Sequence, residues 1–144
     1  MFTRGQSIHI HATPEAVFDY VSDLSKHPEW SAQPLVVQVK GPVQVGTTYT
    51  SDADFMGKPH GHGQILEVER PRRFAFDAAD SSGHFKWHFN ITPVGDGVRL
   101  DYGFGRLSAP LPFLLLQGAV FWPLFGSKWT TQSLERIKAK LEAA

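Results

Sequence analysis

The segment SKWTTQSLERIKAKL, Ser127 to Leu141, contains neither Gly nor Pro, and Thr130, Leu134, Ile137 and Leu141 recur in it at the three-to-four spacing of one helical face. A helix with such a stripe has to bury it. Traced back one turn, the same face becomes small, with Gly126, Ser127 and Thr130, so the helix presses Leu and Ile into a sheet at its end and leaves room at its start. Room beside a core helix is where a ligand sits. Immediately upstream, LPFLLLQGAVFWPLFG (111–126) is too apolar for a solvated loop. With Gln117, Gly118 and Pro123 in it, the run is also too interrupted for the roughly 20 apolar residues of a membrane span. Leu111–Phe125 therefore needs a cover, and three are open to it: a lid position over a cavity mouth, a homodimer contact, or a membrane surface or partner chain.

Composition narrows the class. A chain of 144 residues suits one domain over 1–144, large enough to bury roughly 70% of the surface its unfolded form exposes. Lys plus Arg and Asp plus Glu are equal at 14 each, so no net field favours a nucleic acid as partner. Without Cys there is no disulfide framework, thiolate metal site or Cys nucleophile. The opening MFTRGQSIHIHA lacks an apolar run of signal-peptide length, and a cytoplasmic location is expected. Aromatic residues are abundant, with 11 Phe, 4 Trp and 3 Tyr, which points to an aromatic-lined hollow as well as a core.

Ser7 to Ala12 alternates, with Ile8, Ile10 and Ala12 on one face, and reads as a half-buried strand. Thr13 then caps a helix with Pro14 in its first position and an apolar stripe of Val17, Phe18, Val21 and Leu24. Ser25 is placed to cap a further short turn, with Trp30 just after it, plugging one end of a core. From Gln33 to Arg106 six strand-like runs follow, Leu35–Lys40, Thr47–Phe55, Gly61–Glu69, Arg73–Ala78, His84–Thr92 and Gly97–Arg106, separated by Gly, Pro, Asp and Ser. Phe85, Trp87, Phe89 and Ile91 share one face of the fifth run, and Val98, Leu100, Tyr102 and Phe104 one face of the sixth. Paired across the intervening Asp-Gly, the two present an aromatic wall. The expected architecture is α+β: a seven-stranded antiparallel sheet wrapped around a long C-terminal helix, the helix-grip arrangement, with two short helices after strand 1.

The run ATPEAVFDYVSDLSKHPEW (12–30), the GTTY turn (46–49), GQILEVERPRRFAF (63–76) and the terminal SLERIKAKLEA (133–143) resemble the START-like or SRPBCC superfamily, and within it the polyketide cyclase/dehydrase and lipid-transport group. The similarity covers nearly the whole chain and is most specific in its first part. It implies a helix-grip fold with an apolar cavity between sheet and helix, and little about chemistry, because that superfamily includes carriers, receptors and cyclases.

The candidate ligand-binding residues are Trp30, Tyr49, Ser51, Phe55, Trp87, Phe89, Tyr102 and Phe104 on the turn and strands, Ser127 and Thr130 on the helix, and His62, whose parity with Leu66 and Val68 places it at the cavity mouth. His60 and His62 with Asp52 and Asp54 look like part of a metal site, but the two Asp fall opposite Tyr49 and Phe55, so no complete ligand set is expected. No phosphate-binding Gly loop, GxSxG motif or cofactor motif occurs. The function expected is binding of a small hydrophobic or aromatic ligand of lipid, polyketide or steroid type. The alternative is a cyclase, dehydratase or isomerase needing only an acid or base in the same cavity, with Tyr49, Tyr102, His62 or Asp101 as candidates. Asp101 is out of phase with Leu100 and Tyr102 and is expected to face water.

Overall fold

A computed structural model describes residues 2–31, 35–53, 60–80, 83–108 and 127–143. Seven strands, β1 (Phe2–Ile10), β2 (Leu35–Val39), β3 (Thr48–Ala53), β4 (His60–Glu69), β5 (Arg73–Asp80), β6 (Gly83–Val94) and β7 (Gly97–Ser108), form one antiparallel sheet in the order β1-β7-β6-β5-β4-β3-β2. Strands β2 to β7 are a meander, and β1 joins at the far edge by pairing with β7. The first strand begins at Phe2, earlier than the alternation from Ser7 indicates. Its partners on β7 continue through Gly5↔Gly103 and Phe2↔Arg106, so the backbone ladder runs on where the side-chain pattern has stopped.

Between β1 and β2 lie α1 (Pro14–Ser22), a 3₁₀ turn at Leu24–Lys26 and α2 (His27–Trp30). Thr13 Oγ1 accepts from the Ala16 N–H at 3.1 Å and Pro14 takes the first turn, as the sequence indicates. The cap of the 3₁₀ turn is Asp23 rather than Ser25, since the Asp23 carboxylate accepts from the Ser25 N–H at 3.1 Å. The terminal helix, α3 (Ser127–Glu142), buries Thr130, Ser133, Leu134 and Ile137 and half-buries Leu141.

Three helices share the task of covering the sheet. Helix α3 packs on β1 and β7, α1 on β5 and β6, and α2 on β2 and on α3. The reason is reach: a helix about 10 Å across covers two or three strands spaced about 4.8 Å apart. The core between these layers holds Ile10, Val17, Phe18, Val21, Phe74, Leu100 and Leu134, all almost fully buried. Each such side chain contributes about 1.5–3 kcal/mol. The segment Leu111–Phe125 lies outside the described residues.

Two glycines shape the sheet. Gly95 takes φ +60° in the two-residue turn between β6 and β7. Gly63 lies under Tyr49, where an added Cβ would meet the Asp77 carbonyl and stand 2.7 Å from the phenol oxygen. That closeness lets the Tyr49 hydroxyl donate to the Asp77 carbonyl across β4. Gly63→Ala is therefore expected to lower unfolding free energy by about 2–4 kcal/mol in urea titration. A loss within about 0.5 kcal/mol, the range of an ordinary surface substitution, would show that the three strands adjust freely.

Candidate ligand-binding site

The aromatic wall forms as the alternation indicates. Strands β6 and β7 pair Phe89 with Tyr102 and Ile91 with Leu100. The Phe89 and Tyr102 rings stack with centroids 4.5 Å apart and planes within 8°. Trp87 stacks on Tyr102 at 5.5 Å, so Tyr102 lies between two rings in a continuous row. Trp30, the last residue of α2, drops its indole edge-on to that row, 5.6 Å from Phe89 and 5.7 Å from Tyr102 at near right angles. Aromatic pairs of this geometry contribute about 0.5–1.5 kcal/mol each beyond their buried area.

On the neighbouring strands Phe76 continues the surface, with Tyr49 against it at 6.1 Å. Ser51 is half-buried two residues along from Tyr49 and shares its side of β3, opposite Gly61. Thr130 is buried on α3. Phe55 lies outside the described residues. Phe104 and Ser127 take their places in β7 and α3 by backbone, and their side chains likewise lie outside what is described.

His62 is not at the cavity mouth. It is exposed on the outer face of the sheet, because Tyr49 pairs with Gly63 and the neighbouring position points the other way. A bulge at Leu66, between the pairs Ile65↔Phe76 and Glu67↔Ala75, inverts the alternation along β4. His62 therefore shares neither face nor chemistry with Val68. Asp101 is also on the outer face, accepting from Ser7 Oγ and paired with Arg99, as its phase indicates. Among the described residues no group of three or more His, Asp or Glu side chains gathers closely enough to hold a metal ion, and no helix is long and apolar enough to cross a membrane.

The polar groups inside are few. Among the described residues the Trp30 indole nitrogen is fully buried and has no hydrogen-bond partner. The phenols of Tyr49 and Tyr102 are both pushed well above their ordinary range, chiefly by burial, and then by Asp77 for Tyr49 and by Tyr49 for Tyr102. Both stay neutral hydroxyls at any physiological pH.

The residue missed from the sequence is His27. Its ring lies against the Trp30 indole at 4.2 Å and 6.0 Å from Phe76, and burial pushes its imidazole down to about 4. A signal was present in HPEW: His27 is three residues before Trp30, so one helical turn sets both on the same side.

A curved antiparallel sheet closed by a terminal helix over an aromatic interior defines a helix-grip protein. The family model for polyketide cyclase/dehydrase and lipid transport matches residues 1–142, and the chain belongs to that family. Among solved structures, a START superfamily protein from Mycobacterium smegmatis is 15% identical with a TM-score of 0.76, the match covering 98% of this chain and 97% of that one. The di-domain ARO/CYC StfQ of the steffimycin biosynthetic pathway is 12% identical with a TM-score of 0.77, covering 98% of this chain and 50% of that one. The Aha1 dimer from Colwellia psychrerythraea is 16% identical with a TM-score of 0.67, covering 99% and 97%. These likenesses show the fold. No curated protein matches the sequence.

The depressed His27 has a consequence for stability. Its folded value, about 4, lies below the unfolded value of 6.5, so the unfolded chain takes up the proton first as pH falls. The contribution is full above the unfolded value, falls through the window between the two, and levels off below about 4. Between pH 7 and pH 5 the protein should lose about 2 kcal/mol through this one group. Urea titrations at both pH values should show that loss shrinking by a similar amount in His27→Asn, and an identical pH dependence in the two proteins would contradict the assignment.

Proposed function

We propose that the protein binds a small apolar or aromatic ligand, of lipid, polyketide or steroid type, between its sheet and helices. The observation that supports this most is the row Phe89–Tyr102–Trp87, roofed by Trp30 and adjoined by His27. A core selected for packing alone gains nothing from half-burying a large indole at the end of a stack, whereas a flat ligand gains a continuing surface. Ser51 and Thr130 supply small polar groups beside that surface, and a cytoplasmic location belongs to the same reading.

The second reading is a cyclase or dehydratase using the same interior, favoured by the family to which the chain belongs and by the fold it shares with StfQ. Tyr102, held as a neutral acid, is the group such an enzyme would use as hydrogen-bond donor to a carbonyl, since the Tyr49 hydroxyl already donates to the Asp77 carbonyl. Docking through Leu111–Phe125, whether on a second copy, a membrane or a lid position, remains a proposal on residues outside the described set.

Native mass spectrometry of freshly purified protein should reveal a co-purifying small molecule, and an apolar fluorescent probe should bind with a change in Trp emission. Trp87→Ala should weaken that probe by about tenfold, the loss of one ring from the stack, with the far-ultraviolet circular dichroism of the folded sheet retained. A protein that carries no molecule and leaves the probe free would overturn the binding reading.

A further inference from the structure

We propose that His27 is the specificity-determining residue of this interior: its imidazole accepts a hydrogen bond from the hydroxyl of an uncharged planar ligand, and the interior turns away the same ring system carrying a carboxylate. The inference rests on the ligand-binding reading above and narrows it to one chemical class.

Geometry places His27 inside. Its ring contacts the fully buried Trp30 and the buried Phe76, yet the residue keeps part of its surface accessible, so it borders space rather than solid packing. Among the described residues neither imidazole nitrogen has a hydrogen-bond partner, although most polar groups in such a place have one. A neutral imidazole offers one N–H and one bare nitrogen. The Trp30 N–H only donates and a phenol oxygen such as that of Tyr102 accepts weakly, so the strongest acceptor for a ligand hydroxyl is the bare nitrogen of His27.

Charge explains the rejection. Among the described residues the sole buried charged side chain is Asp77, and it is already engaged on the other side of β5, accepting from the Gln64 N–H at 2.8 Å and meeting His84 Nε2 at 2.9 Å. Of the cations on the helical elements, Arg136 donates to the Ser31 carbonyl at 2.6 Å, Lys138 donates to the His9 carbonyl at 2.7 Å and to Glu142, and Lys26 is exposed with its ammonium over the Tyr20 ring at 5.8 Å. A ligand carboxylate would therefore lose its water without gaining a counter-charge. A hydroxyl loses far less and recovers it at His27.

Three ligands of one shape separate the terms: naphthol, methoxynaphthalene and naphthoate, each titrated against the full chain at neutral pH. Naphthol should bind at least tenfold more tightly than either of the others. His27→Phe should reduce naphthol to the level of methoxynaphthalene while leaving methoxynaphthalene unchanged. In the unsubstituted protein, naphthol should shift an imidazole ¹⁵N resonance of His27 and methoxynaphthalene should not, which tests the contact even if the variant fails to fold. Naphthoate binding as tightly as naphthol, equal affinity for the methyl ether, or an unmoved His27 resonance would each overturn the proposal while leaving the binding reading intact. If none of the three binds and the fluorescent probe also stays free, the binding reading itself falls, and this inference with it.

Discussion

The contact on which the architecture depends is the indole of Trp30 standing edge-on to the stacked rings of Phe89 and Tyr102. It joins the short helical segment after β1 to the adjacent strands β6 and β7 of the sheet, and those strands are otherwise covered by α1 and α3. Helix α1 approaches β5 and β6, α3 approaches β1 and β7, and Trp30 at the end of α2 fills the space where these covers meet. A side chain of that volume with no exposed surface ties three layers together, and its removal would leave a cavity costing about 3–5 kcal/mol.

The same contact sets the chemistry of the interior. Because the indole and phenyl rings exclude water, Tyr49 and Tyr102 remain protonated and His27 remains neutral, so the interior presents dipoles and no charge. Charged side chains sit instead in exposed or half-exposed pairs such as Asp19 with Arg70 and Glu67 with Arg73, where each adds about 0–1 kcal/mol. An aromatic interior with a few neutral polar groups suits molecules that are flat, hydrophobic and sparsely hydroxylated.

Much of this was legible in the chain because periodicity survives wherever a strand is regular. Phe85 to Ile91 and Val98 to Tyr102 alternate without interruption and their shared face follows from that pattern, while the turn falls on Gly95 and Asp96, one residue before the Asp-Gly pair that the sequence suggests. The start of β1 was hidden because Gln6, the position before Ile8 on its side of the strand, carries no apolar signal although its backbone pairs with Tyr102 of β7. His62 was misplaced because a bulge shifts parity by one residue and nothing in Gln64–Ile65–Leu66–Glu67 announces it. His27 was overlooked because its value to a site depends on what surrounds it, and Phe76, which helps to bury it, is 49 residues away in sequence. Local pattern finds faces; long-range packing decides which polar group ends up enclosed.

The central claim is that a planar ligand enters beside the Tyr102 row rather than resting on the outside of the protein. Intermolecular nuclear Overhauser effects between a bound naphthalene probe and selectively labelled aromatic rings measure this most directly. The account predicts cross-peaks from the probe to the rings of Trp87 and Tyr102 and to His27, with none to Tyr20, which is half-buried on α1 with its hydroxyl on Glu29. Cross-peaks confined to Tyr20, or probe binding that leaves Trp87, Tyr102 and His27 without any, would contradict it.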